Sequence, residues 1–197
     1  MLFMPFITGW TWWGLTTLHF GVNNFGIKGP LGLMLHCTSH RHLFKSEYGW
    51  MNYYLPWVLA PFFVHTPETY YSHHIGMHHA ENNLEDDDSS TMGFQRDSWR
   101  SFLAYFGRFF AIGVRNLLSY LHRKNRSKLA RRRLTGEIAF GALCLLLCFV
   151  NWPATMMVFL LPLVIYRLVA MLGNWTQHAF VDADDPGNAN KKQYYLH

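Results

Sequence analysis

Two apolar runs that meet at Pro153 constrain this chain more than anything else in it. Residues 134–152 read LTGEIAFGALCLLLCFVNW and residues 154–172 read ATMMVFLLPLVIYRLVAML. A helix needs about 20 residues to cross the hydrocarbon core of a bilayer, and each run is close to that length. Asn151, Trp152 and Pro153 are read as the turn of a helical hairpin, because proline cannot continue the first helix.

A third run opens the chain. There is no Asp, Glu, Lys or Arg between Met1 and Ile27, and residues 3–20 are almost wholly apolar or aromatic. The run lacks the basic start and small-residue cleavage site of a signal peptide, so it is expected to stay in the chain. Trp10, Trp12 and Trp13 sit where an interfacial belt would lie. Charged residues are 15% against 17% aromatics, a poor composition for a solvated surface. The mean hydropathy of −0.01 hides this by averaging very apolar with very polar segments. The pattern implies an all-α, multi-pass membrane protein, a single domain over residues 1–197.

The segments between the runs read as interfacial. In residues 101–121 (SFLAYFGRFFAIGVRNLLSYL), Arg108, Arg115 and Ser119, continued by His122, trace one polar stripe at helical spacing. Residues 50–65 are short and carry Pro56 and Pro61, which suits an interfacial or re-entrant segment. The stretch HRKNRSKLARRR, His122 to Arg133, holds seven of the 17 Lys and Arg residues. Beside membrane helices this reads as a cytosolic loop under the positive-inside rule, not as a nucleic-acid patch. Three cysteines with no spacing pattern argue against a disulfide framework. Cys144 and Cys148 are read as small packing residues, and Cys37 projects away from its neighbour His36.

The 12 histidines fall into sets. His36 and His40 are four apart, as are His74 and His78, so each pair shares one face of a helix and can converge on one metal ion. On an α-helix His79 turns about 100° away from His78, towards a second metal or a neighbour. Asn174 and His178 repeat the four-residue spacing. Neutral imidazole suits iron, zinc or copper, and the scarcity of nearby cysteine argues against structural zinc. Repeated pairs on several helices suggest two metal ions. His42 and His73 rank below these as ligands, while His19, His65 and His122 are read as ordinary polar residues. If all sets share one site, an even number of crossings must separate them; the hairpin supplies two. The histidines then form one cap facing the cytosol.

HCTSHR, HHIGMHHAENN and GNWTQHAFVD resemble the histidine boxes of the integral-membrane fatty-acid desaturase and hydroxylase superfamily, from about His36 to Asp185. The resemblance implies two non-haem iron ions, held by His36, His40, His74, His78, His79, Asn174 and His178. It implies an oxygen-dependent desaturase of fatty-acyl lipids that takes electrons from a partner such as cytochrome b5 or a ferredoxin. The endoplasmic reticulum is the default membrane, with plastid or bacterial inner membrane as alternatives. Glu81 and Asp182 are candidates to orient ligating imidazoles, and Glu85 to Asp88 is read as a solvated capping turn.

The sequence departs from the family pattern at its end, where a further His-x-x-His-His box is expected after His178. His42, His73 or His197 would have to stand in, so the chain is expected to be a shortened or partner-completed member. A membrane hydroxylase of alkanes, fatty acids or sterols is the rival reading, favoured by the His-x-x-x-His-His spacing. An inactive metal- or lipid-binding membrane protein is the alternative from another class.

Overall fold

The computed structural model describes residues 1–63, 65–81 and 86–178, and every regular element among them is helical. In chain order the α-helices are α1 (Gly9–Gly21), α2 (Lys28–His40), α3 (Ala60–Phe62), α4 (Thr69–His73), α5 (His79–Glu81), α6 (Trp99–Arg123), α7 (Ser127–Thr155) and α8 (Leu161–His178). Contacts divide the chain into two compact units, residues 1–71 with 131–166 and residues 72–130 with 167–197.

In the first unit, α1 passes through a π-turn, Val22–Ile27, straight into α2. The apolar N-terminal run and the first histidine pair therefore lie on one continuous helical path. Its buried stripe is Trp12, Thr16, Asn23, Lys28, Leu31 and Leu35. Trp12 anchors the N-terminus by donating its indole N–H to the Leu2 carbonyl at 3.0 Å. The segment over residues 50–65, read as interfacial or re-entrant, falls in a 3₁₀ turn, Ser46–Tyr53, then a π-turn, Leu55–Leu59, and α3. Pro56 and Pro61 sit in the first turns of the last two, where a missing N–H costs no helical bond.

Asn151 breaks α7 with φ −159° and ψ 93°. Beyond it the chain reverses: the rings of Phe140 and Phe159 are 6.3 Å apart. On one straight helix, rising 1.5 Å per residue, they would be separated by about 28 Å. Phe140, Cys144 and Phe159 form the buried seam of this hairpin, so Cys144 is a packing residue as read. Ser127–His178 is the one described stretch long and apolar enough to cross a membrane, with a mean hydropathy of 2.1 in its most apolar window. The fold turns that stretch back on itself.

The segment leading into α4 is locked to α7. A Cβ on Gly136 would lie 2.0 Å from the Pro67 carbonyl oxygen, so only glycine admits the approach. Thr66 and Thr69 donate their hydroxyls to Glu137 Oε1 at 3.0 and 2.9 Å. Glu68 is in the left-handed region, at φ 64°, an uncommon conformation for a residue with a Cβ. It is buried there, accepting from Trp57 at 2.8 Å and paired with Arg132 at 2.9 Å.

The second unit is built on α6. Ser98 caps it, accepting from Ser101 N–H, and Tyr105, Gly113, Leu117, Tyr120 and Leu121 form its buried face. Arg108, Arg115, Ser119 and His122 are all exposed, so the polar stripe faces outward as expected. Asn125, at φ 57°, ends the helix. The following Arg126 N–H closes back on Leu121 O at 2.7 Å, the pattern of a Schellman motif. Met77 packs with Leu117, Tyr120, Leu121 and Ala130 in the core of this unit.

Candidate metal centre

The second histidine set does not lie on an α-helix. His74–His78 is a π-turn between α4 and α5, closed by the His79 N–H on the His74 carbonyl. A π-turn is wider than an α-turn and is stable only as a short insertion, often where function requires it. It changes which side chains share a face. His79, expected to turn away, comes round onto the face of His74: their Nε2 atoms are 3.0 Å apart and their rings 4.4 Å. The His78 ring lies 6.1 Å from each of them. His178, buried at the end of α8, is 5.4 Å from His78, edge to face. His73 stacks parallel to His78 at 6.2 Å and meets Phe109 edge-on. Four imidazoles of this unit, those of His73, His74, His79 and His178, are thus gathered around His78.

The orientation of His78 is fixed from behind. Its Nδ1 donates to Asp87 Oδ2 at 2.7 Å, a bond that in the neutral tautomer makes Nε2 the nitrogen with the lone pair. Asp87 is only 3% exposed, and Ser89 donates to its other oxygen from both backbone N–H, at 2.9 Å, and hydroxyl, at 2.6 Å. Burial pushes the Asp87 carboxyl up. The hydrogen bond and charge of His78, with the two Ser89 donors, outweigh that and hold it at about 2. The acidic run expected to be a solvated turn is therefore divided in role. Asp86 is exposed and pairs with Lys124 at 3.1 Å, Asp88 accepts from Asn116 at 2.6 Å, and Asp87 is an interior carboxylate. The sequence did carry a signal for this. An Asp two residues before a Ser is an Asx-turn pattern, in which the carboxylate accepts the later N–H.

Asn174 donates its amide to the Ser89 carbonyl at 2.9 Å and to the Tyr105 hydroxyl at 2.8 Å, leaving Oδ1 as the atom it offers a metal. Tyr105 in turn donates to Ser89 O at 3.1 Å. Glu81, a candidate to orient an imidazole, instead accepts from the Tyr120 hydroxyl and pairs with Lys124.

In the first unit, His36 and His40 lie one turn apart on α2 with ring centres 5.0 Å apart. His36 Nδ1 shares a hydrogen bond with the Tyr70 hydroxyl at 3.1 Å. Tyr70 also lines a cavity of about 450 Å³ with Met34, Leu35, Leu55, Leu59 and the exposed His42. His65, read as an ordinary polar residue, borders the same cavity and is itself buried. His197, Asp182 and Glu85 lie outside the described residues.

Imidazoles gathered on helices, two of them oriented by protein partners (His78 by Asp87 and His36 by Tyr70), are the arrangement of histidine-ligated metalloproteins. The model of one such family, fatty acid desaturase, matches residues 8–196, and the chain belongs to that family. It is a family of membrane-associated oxidoreductases of fatty-acyl chains. Comparison with curated proteins and with solved structures gave no match.

Proposed function

We propose that the protein is a multi-pass membrane desaturase that introduces a C=C bond into a fatty-acyl chain. His36, His40, His74, His78, His79 and His178, with Asn174, would hold two iron ions, and His42 and His73 stand in reserve. The observation that carries this reading is the gathered imidazole set around His78, whose proton is fixed by a buried carboxylate. The donor set fits iron: neutral nitrogens, no thiolate, and one amide oxygen. Iron, when bound, supplies the redox chemistry. One dioxygen, two delivered electrons and two protons take two hydrogens from adjacent carbons and leave two waters.

The protein's own residues do the rest. Asp87 and Tyr70 fix ring orientations, and the apolar cavity beside α2 suits an acyl chain. The hairpin and the outward basic stripe of α6 suit a protein that spans and lies on a bilayer, with an electron carrier such as cytochrome b5 or a ferredoxin docking at the cytosolic face. The endoplasmic reticulum is the default compartment.

The test is iron analysis of purified protein together with product mass spectrometry after supply of electrons and oxygen. About two irons per chain and loss of two hydrogens support the reading. Gain of one oxygen would move it to the hydroxylase alternative, and absence of iron after reconstitution would overturn it.

A further inference from the structure

The basic stretch between α6 and α7 contains a corner residue whose side chain reaches the histidine set. Arg126 is fixed three ways by its backbone: its N–H bonds Leu121 O at 2.7 Å, and its carbonyl accepts from Leu129 and Ala130 at 3.0 and 3.1 Å. From this corner its guanidinium donates to the Gly76 carbonyl at 2.6 Å. Gly76 is the middle residue of the π-turn His74–His78. The same corner packs on the turn through Leu129, whose Cδ2 lies 2.7 Å from where a Gly76 Cβ would sit.

An α-helical register through this segment would carry His79 away from His74, by the geometry of 3.6 residues per turn. The π register brings them to 3.0 Å. Short π insertions need outside support, because a longer turn makes poorer use of its backbone bonds. A charged donor on a carbonyl inside the turn is such support, being stronger than a neutral hydrogen bond. We propose that Arg126 is a positioning residue: its bond to the Gly76 carbonyl holds the π register that sets His74, His78 and His79 on one face for metal binding. The neighbouring Arg123 has no comparable part; it is exposed and faces Asp86 at 3.8 Å.

This inference rests on the metal-binding reading above, and its test separates the two. Purified full-length protein is loaded with Co²⁺, whose visible spectrum reports coordination, and affinity is measured by chelator competition. Wild type and Arg123→Gln are expected to bind alike. Arg126→Gln is expected to bind about tenfold or more weakly, with a changed d–d spectrum. Arg126→Lys, which keeps a charged donor but not its reach or fork, is expected to fall between. Should Arg126→Gln fail to yield folded protein, Arg126→Lys decides. Either folded variant with wild-type affinity and spectrum overturns the role of Arg126. Failure of the wild type itself to bind cobalt or iron overturns the metal-binding reading instead.

Discussion

His78 Nδ1 and Asp87 Oδ2 are 2.7 Å apart, and the carboxylate is buried while the imidazole faces four other histidine rings. A carboxylate behind a ligating imidazole fixes its tautomer and raises its basicity, and losing one typically costs 10–100-fold in metal affinity. Asp87→Asn keeps the volume and loses the charge, so it is expected to weaken metal binding by about that range. Asp86→Asn removes an exposed charge one residue away and is expected to change nothing. Metal content after dialysis against a graded chelator series checks both, and equal loss in the two variants would count against the Asp87 assignment.

His78 itself should be the least replaceable member of the set, since the rings of His73, His74, His79 and His178 all surround it. His78→Ala is expected to abolish iron binding and desaturation together. His122, exposed on the outer stripe of α6, is expected to tolerate alanine with both intact. Iron stoichiometry and product yield, measured on the same preparations, decide.

Much of this arrangement was legible in the sequence because it follows from strong local rules. Proline at 153 after Asn151 marked the hairpin, and the break falls at Asn151. The four-residue spacing of His36 and His40 needed only an α-helix, and α2 provides one. What the sequence concealed depends on deviations from the regular helix and on distant partners. The π-turn moves His79 onto the face of His74, and nothing in HHIGMHHA distinguishes it from an α-turn. Asp87 sits in a run of acids whose usual fate is solvent; the Asp-x-Ser spacing marks its Asx-turn, but its burial also required the distant His78 to converge on it. Arg126 looked like one more cation in a basic loop, while its bond to Gly76 spans 50 residues of sequence.

His65 predicts a pH dependence of stability. Burial, and then the charge of Lys28, push its imidazole from 6.5 down to about 4. As pH falls, the unfolded chain takes up this proton before the folded one does. The contribution of His65 is therefore fully present above pH 6.5 and is lost as pH falls from 6.5 to about 4. The loss is at most about 3 kcal/mol from this group. Asp87 acts in a lower window, between 3.8 and about 2, so the two are separable. Denaturation midpoints of the detergent-solubilised protein should fall across the upper window and flatten in His65→Asn. Parallel curves for wild type and variant would show that His65 is not a neutral interior group.

Gly136 and Gly141 lie on the same helix and predict opposite responses to the same methyl group. A Cβ at Gly136 meets backbone, the Pro67 carbonyl at 2.0 Å, whereas at Gly141 it meets nothing within 4 Å. Overpacking typically costs 1–3 kcal/mol and more where backbone must move, so Gly136→Ala is expected to lose about 3 kcal/mol or more. Exposed helical glycine is about 1 kcal/mol worse than alanine, so Gly141→Ala is expected to be neutral or to gain up to that amount. The damage at Gly136 should extend to the segment it clamps, because Thr66 and Thr69 hydrogen-bond Glu137 next door and Glu68 is held by Arg132 one turn earlier. Hydrogen exchange should therefore rise in residues 65–71 of Gly136→Ala and stay unchanged in Gly141→Ala. A Gly136→Ala protein with native stability and native protection there would mean that the close approach of Pro67 to α7 is not a feature of the fold in solution.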